Sequence, residues 1–409
     1  QAGGTATDFD GKYTIKPITP GTYDVKASFL GYKPVQITGI PIRSGIIEYL
    51  DIELESTAVQ VEGVTITKYK VPLIDKDKTV SGATVTSEEI SKMPTRSAEG
   101  VATSVGGVFS RDGEIGNVRG QRTDGNVTYI DGIRVRGSAN LPESAIEQVS
   151  VILGGVPAQY GDATGGIINI TTKGPSRHFG GGLELQTSQF LDPYGMHRVG
   201  LNMTGPLFFN KDKTEALLGY FIAADFNYHK DGATLPLGMY KVNDAKLTEL
   251  ETNPLRPSGT GSGTYQNSAY VRSSDLESLK TTLNSDGYDV NVSGKLDVKT
   301  GKNTNLTFGG QYRMYAGNDY DYYNSVFNYK RNSFSEGNNW RVFGRFTQRF
   351  PAAKEGNNLI KNIYYSIQAD YTSIMNKSGD PELGENLFAY GYVGKFDTYK
   401  TKGYDFSVD

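Results

Sequence analysis

Histidines, cysteines and paired carboxylates are where chemistry would first be sought, and this chain offers little of it. His178, His197 and His229 stand far apart, with no His-x-x-x-His spacing and no carboxylate pairing beside them, so they build no metal site. Cysteine is absent, which removes disulfides, thiolate ligands and a cysteine nucleophile together. No Gly-x-Ser-x-Gly elbow occurs. Gly259-Thr260-Gly261-Ser262-Gly263 has the glycines of a phosphate loop but lacks the strand before it, the helix after it and the lysine, so a flexible loop is favoured. Asp8-Phe9-Asp10-Gly11 begins like a calcium loop, yet the later ligands and closing glutamate are out of register, and a plain β-turn is favoured. The expectation is a protein that is not an enzyme, with no catalytic residue, no metal and no cofactor.

What remains is a set of charged residues among turns. Arg119, Asp131 and Glu147 lie in a short polar stretch, residues 118–173, that carries four landmarks in order. They are Val118-Arg119-Gly120, Tyr129-Ile130-Asp131-Gly132, Ile146-Glu147-Gln148-Val149, and Tyr160-Gly161 leading to Gly165-Gly166-Ile167-Ile168-Asn169-Ile170-Thr171-Thr172-Lys173. The elements that would position them are strands at residues 127–130, 149–153 and 167–171, rich in β-branched and aromatic residues. Asp131-Gly132 is a strong turn signal, because glycine accepts positive φ at little steric cost. Gly161, Gly165 and Gly166 allow a tight turn before the last run. Read from the residues alone, this is a small α+β domain with glycine-rich turns.

Composition bounds the rest. Lys+Arg 42 against Asp+Glu 45 gives a net charge of -3, which provides no electrostatic case for nucleic acid. The 27 Tyr and 18 Phe beside a single Trp, with 50 Gly, describe an aromatic and glycine-rich chain. A mean hydropathy of -0.44 fits either a water-soluble β protein or a membrane barrel, whose strands alternate a lipid face with a polar lumen face. No run of about 18 apolar residues exists to form a transmembrane helix.

Along the chain, residues 1–55 read as a small β-domain with strand-like runs at 13–15, 23–29, 35–38 and 46–54. Residues 56–78 read as a linker holding a β-prone run. A short helix opens at Thr86-Ser87-Glu88-Glu89-Ile90, with Thr86 or Ser87 as N-cap, and Pro94 stops it. A second helical stretch covers residues 95–103 before Gly106-Gly107-Val108. From Phe179 onward the pattern becomes long alternating strands. Tyr288, Val290, Val292, Gly294, Leu296 and Val298 alternate with polar neighbours, and after a turn at 300–303 Leu306, Phe308, Gly310, Tyr312 and Met314 do the same. Equivalent faces run through Tyr220 to Tyr228, Trp340 to Phe346 and Ile363 to Tyr371. Short connections at 205–214, 299–303 and 351–358 alternate with long ones at 229–287 and 316–339. About seven strands are expected, with a weaker eighth near 387–396.

The four landmarks, in this order, resemble the plug domain of TonB-dependent outer-membrane transporters. Thr7-Asp8-Phe9-Asp10-Gly11-Lys12-Tyr13-Thr14-Ile15 with Pro20-Gly21-Thr22-Tyr23 and Phe29-Leu30-Gly31-Tyr32 is similar to the carboxypeptidase-regulatory-like β-sandwich that precedes the plug in outer-membrane receptors of the Bacteroidetes. Gly154 to Gln159 before Tyr160 departs from the SusC-like pattern and looks more like the Oar-like branch. The resemblance implies a mostly β chain: the sandwich in 1–55, incomplete at its N-terminus, a linker in 56–78, a plug in 79–177, and in 178–409 the first part of an antiparallel transmembrane β-barrel, with residues missing at both ends.

It implies active import of a ligand across the outer membrane of a Gram-negative cell, energised by a TonB-like protein, with outer-membrane lipid around the barrel. A surface lipoprotein or other complex subunits are further partners that it allows. Val61, Glu62, Gly63, Val64, Thr65, Ile66 and Thr67 are the candidate TonB box, an ordinary linker being the other reading. Arg119 is implied to lock the plug to barrel carboxylates, within a plug motif of Gly120, Asp131, Gly132, Glu147, Tyr160, Gly161 and Gly166. Tyr320, Tyr322 and Tyr323 form an aromatic loop suited to stacking on a ligand, or equally to loop packing or a partner contact. Two alternatives stand beside import: a structural or secretion-associated subunit built on the same fold, and a secreted β protein whose apolar strand faces meet in a sandwich.

Overall fold

A computed structural model of the chain describes residues 4–8, 10–43, 47–56, 65–68, 81–95, 97–111, 114–122, 125–136, 139–157, 160, 164–212, 216–259, 263–301, 303–350 and 363–386. The N-terminal part forms a three-stranded sheet. β1 (Gly21–Ala27) pairs antiparallel with β2 (Val35–Ile42), and β3 (Thr65–Lys68) adds to β2 in parallel. Residues 13–15 and 47–54 are not strands, contrary to expectation, and residue 46 lies outside the described residues. Their β-prone side chains have no described strand to pair with, and pairing decides β-structure more than propensity does. The Asp8 turn is a turn: its carboxylate accepts from the amides of Asp10 at 3.0 Å and Lys12 at 2.8 Å, which engages it with backbone.

The next unit is a five-stranded sheet in the order β4-β9-β10-β7-β8, flanked by two short helices. Its elements are β4 (Ser81–Thr86), α1 (Ser87–Ile90), α2 (Ala98–Thr103), the hairpin of β5 (Val108–Arg111) and β6 (Glu114–Val118), β7 (Val127–Ile130), β8 (Ile133–Arg134), β9 (Ile146–Gly154) and β10 (Ile167–Thr172). Thr86 is the N-cap of α1, and the Glu89 carboxylate reaches back to the Thr86 amide at 2.8 Å. The second helix starts later than expected, at Ala98, because Ser97 caps it by accepting from the Gly100 amide at 3.0 Å.

Central strand β10 is buried along its whole length, parallel to β7 on one side and antiparallel to β9 on the other. Such a strand needs a continuous apolar run, which Ile167, Ile168 and Ile170 supply. Ile168 and Ile170 pack with Ile90, Val101, Ala102, Ile130, Val149 and Val151, and Ile167 packs with Ile152 and Tyr160, each buried isoleucine contributing about 1.5 to 3 kcal/mol. The polar member, Asn169, is satisfied by donating to the Tyr160 hydroxyl at 3.1 Å.

Seven antiparallel strands follow in one sheet: β11 (Gly180–Thr187), β12 (Met196–Phe209), β13 (Ala216–His229), β18 (Gly287–Gly301), β19 (Thr304–Asn318), β20 (Phe334–Phe350) and β21 (Ile363–Gly379). The insertion between β13 and β18 carries β14 (Met239–Val242), α3 (Asp244–Thr252), β15 (Leu255–Pro257), β16 (Thr264–Gln266) and β17 (Leu276–Leu279). Asp231 ties its ends together by accepting from the amides of Ala233 at 2.9 Å and Thr282 at 2.8 Å. The connection expected at 316–339 is shorter, because β19 continues to Asn318 and β20 begins at Phe334; their polar residues pair as well as apolar ones in a ladder. The weaker eighth strand lies outside the described residues.

One face of this sheet is apolar and exposed, with Leu201, Ile222, Phe226, Leu296, Phe308, Val342 and Ile367 on it. Trp340 and Tyr371 meet there with ring centroids 5.2 Å apart. The alternate residues, among them Phe221, Ala223, Asp225, Arg341 and Phe343, are buried on the other face. From β12 onward the strands have 14 to 17 residues, more than the roughly 9 to 11 that a tilted strand needs to cross a bilayer. Among the described residues no helix is long and apolar enough to cross.

Candidate functional site between plug and wall

The compact five-stranded unit sits against the inner face of the seven-stranded wall, and the Asp131-Gly132 turn is where charge crosses between them. Positive φ at both residues, 51° and 82°, gives the tight connection between β7 and β8 that a two-residue hairpin requires. The turn presents the Asp131 carboxylate and carbonyl together. The carboxylate accepts from the Thr172 amide at 3.0 Å and the Thr172 hydroxyl at 2.6 Å, which fixes it at the end of β10.

Three wall strands close on it. Lys295 of β18 reaches Asp131 Oδ1 at 3.3 Å and donates to the Thr172 carbonyl at 3.0 Å. Arg345 of β20 donates through Nη2 to the Asp131 carbonyl, and its Nε donates to Gln368 Oε1 of β21 at 2.9 Å. Gln368 Nε2 donates to the same Asp131 carbonyl at 3.4 Å. The Asp131 and Lys295 side chains are only 5% and 10% exposed, so neither charge has water in place of the other. Breaking such a pair from one side costs about 3 to 5 kcal/mol, because a buried charge is left uncompensated.

Two further contacts adjoin this lock. Ala145, just before β9, packs with Phe221 and Ala223 of β13 in an apolar contact. Glu147 on β9 is half-buried; burial pushes its carboxyl above its usual value, and Lys173 and Lys295 pull it back in part.

Arg119 is elsewhere. It has φ 50°, its amide donates to the Gly107 carbonyl at 3.0 Å, and its exposed side chain lines an open cavity with Gln121, Arg122, Gly125 and Thr164. Among the described residues no ion pair holds it, and the ionic lock that is described is built on Asp131. Gly120 follows at φ 78°. Tyr160 is buried under Tyr129, ring centroids 5.0 Å apart, and Gly161 lies outside the described residues. The Gly166 amide donates to Asn126 Oδ1 at 3.1 Å, and the glycine lies hard against Val118.

Of the candidate TonB box, Val61, Glu62, Gly63 and Val64 lie outside the described residues. Thr65, Ile66 and Thr67 form the start of β3, in register with Val35, Gln36 and Ile37. Tyr322 and Tyr323 project from the connection after β19 with edge-to-face rings, while Tyr320 is half-buried. Lys295, Arg345 and Gln368 were not singled out from sequence; their one signal is that they fall on the inward, polar register of their strands.

The sequence matches two family models, the carboxypeptidase regulatory-like domain over residues 1–55 and the TonB-dependent receptor plug domain over residues 75–167. Among curated proteins it is 26% identical over 195 residues to the TonB-dependent transporter Oar of Myxococcus xanthus, covering 43% of this chain and 18% of that protein. It is 30% identical over 171 residues to a probable TonB-dependent siderophore receptor, PirA, of Acinetobacter baumannii, covering 32% of this chain and 23% of that protein. The match thus spans about a fifth of the length of these relatives. A crystal structure of the siderophore receptor PirA from Pseudomonas aeruginosa superposes with a TM-score of 0.39 at 16% identity, over 75% of this chain and 52% of that one. With the two domain models matched in this order, ahead of a wall whose outer face is apolar, residues 75–167 carry the plug domain of the TonB-dependent receptors, β-barrel proteins of the Gram-negative outer membrane.

Proposed function

We propose that this chain is the gated part of an importer, in which a ligand taken from outside passes a plug that is released by pull from the periplasm. The observation that carries this reading is the fastening of one plug turn, Asp131-Gly132, by groups on three wall strands, β18, β20 and β21. A gate must stay shut at rest and yield to a modest force, and a single buried ionic cluster worth a few kcal/mol meets both needs. The force has a route. Residues 61–67 precede β4, which is the edge strand paired to β9; β9 pairs with β10, whose terminal Thr172 holds Asp131.

On this reading residues 1–55 are the regulatory-like domain, 56–78 the linker, 79–177 the plug and 178–409 barrel wall. Residues 61–67 add as a strand to a TonB-like periplasmic protein, and the extended backbone of Thr65, Ile66 and Thr67 suits that mode. Arg119 and Gly120 face a further part of the wall, and Tyr320, Tyr322 and Tyr323 contact the ligand outside. No bond is made or broken in the ligand, so neither catalytic residue nor cofactor is needed.

A binding measurement tests the partner. A peptide carrying residues 61–67 should bind the periplasmic domain of the host's TonB-like protein, and a scrambled peptide should not. Equal binding of both, or of neither, removes the linker from the mechanism and favours a structural or secretion-associated subunit on the same fold.

A further inference from the structure

Two arginines lie four residues apart on the inward face of β20, and the plug engages one of them. Arg345 is tied to Asp131 and Gln368. Arg341 is as deeply placed, 7% exposed, yet its Nε, Nη1 and Nη2 have no hydrogen-bond partner among the described residues. Its described ion-pair neighbour is Asp370, at 4.0 Å and itself 35% exposed, and Asp131 of the plug acts on it electrostatically without a described hydrogen bond. A buried guanidinium carries five donors, and leaving them unmade is costly unless a visiting acceptor takes them.

Arg341 opens on a cavity of about 250 Å³ between the plug segment after β8 and the inner faces of β19, β20 and β21. Two more cations line it: Arg136 from the plug, which is exposed, and Arg313 from β19, whose guanidinium lies 4.6 Å over the Tyr315 ring. Among the described residues the other polar lining is neutral, including Gln311, Asn339 and Asn376, and no carboxylate lines the space. Three guanidinium groups from plug and wall thus converge on one chamber, on the side of the long connections from which a ligand would arrive.

We infer that this chamber is a subsite for an oxyanion, a carboxylate or phosphate group, carried by the transported ligand. Guanidinium forks match paired oxygens on such groups, and these charge-assisted hydrogen bonds are stronger than neutral ones. The volume is below the roughly 300 to 1,000 Å³ of a site for a whole drug-sized ligand, so an acidic head group enters while the rest stays outside. Because Arg136 belongs to the plug and Arg341 to the wall, the anion bridges the two bodies whose separation opens the path.

The inference rests on the importer reading, but its test does not use the energising partner. The full-length receptor in detergent is titrated calorimetrically with inorganic phosphate, with citrate and with neutral maltose at fixed ionic strength. Saturable binding of citrate or phosphate, but not maltose, is expected, and which anion binds separates a carboxylate from a phosphate ligand. Affinity should fall roughly tenfold or more in Arg341→Gln, and recover in part in Arg341→Lys. Arg136→Gln, an exposed change that leaves the wall fold alone, should weaken binding too. Absence of binding of both anions to the unaltered receptor at millimolar concentration overturns the inference, as does unchanged affinity in both glutamine variants. Either result leaves the importer reading standing, since loss of uptake on removing residues 61–67 is decided separately.

Discussion

Lys295 meets Asp131 across 164 residues of chain, Nζ to Oδ1 at 3.3 Å, and with the same ammonium holds the Thr172 carbonyl at 3.0 Å. One wall side chain therefore bridges the turn after β7 and the end of β10, two places that are already joined by the Thr172 to Asp131 hydrogen bonds. The cluster is redundant within the plug, while toward the wall it rests on Lys295, Arg345 and Gln368, so loss of these wall contacts should free the plug without unfolding it.

Asp131→Asn is the clean probe, because asparagine tolerates positive φ and keeps the shape while removing the charge. It takes from the buried Lys295 its paired carboxylate, leaving the more distant Glu147, at a cost of up to about 3 to 5 kcal/mol. Limited proteolysis of the full-length receptor should then cut the plug faster. Adding Lys295→Met should restore part of the protection, by a coupling of about 1 kcal/mol or more. Strict additivity would show that the pair does not fasten the plug.

Gly166→Ala should destabilise the plug by about 1 to 3 kcal/mol, since its Cβ would stand 2.8 Å from both Val118 γ-methyls and Val118 is 1% exposed. Gly120→Ala meets nothing within 4 Å, and should cost only the strain of positive φ, about 1 to 2 kcal/mol. Thermal melting of the two variants should rank them in that order.

Glu147 gives a pH dependence of opposite sign to a salt-bridged acid. Burial raises its folded pKa, so the native state holds its proton above the pH at which the unfolded chain releases it, and stability falls as pH rises through that window. Glu147→Gln should therefore melt higher than the unaltered protein at neutral pH. The gap should close below the ordinary carboxylate range, and a gap that widens in acid would contradict the assignment.

Val342 points outward between the buried Arg341 and Phe343. Val342→Arg places a charge on the lipid face, at a cost of about 2 to 4 kcal/mol near the midplane. Its abundance in the outer membrane should drop, whereas a water-exposed face would accept the change with little effect.

The seven wall strands were legible because period-two alternation states directly which residues share a face, as Trp340, Val342, Gly344 and Phe346 do against Arg341, Phe343 and Arg345. The Asp131-Gly132 turn was legible for the same local reason. Its partners were not: alternation places Lys295 and Arg345 inward but carries no information about which part of a separate body each will face. Arg119 drew attention by resemblance, while the described wall offers its cations to Asp131. Residues 13–15 and 47–54 failed as strands because β-propensity needs a neighbour, and sequence does not show whether one is there. The fold of the long 229–287 connection, with α3 capped by Asn243, was hidden beneath a loop-like composition.

The importer claim is met most directly by removing residues 61–67 from the full-length protein in its native host. Outer-membrane abundance is matched to the unaltered protein, and growth or uptake is compared with a complete gene deletion. The account predicts that the seven-residue deletion reproduces the defect of the complete one. A strain that behaves as wild type while the complete deletion is defective would contradict it.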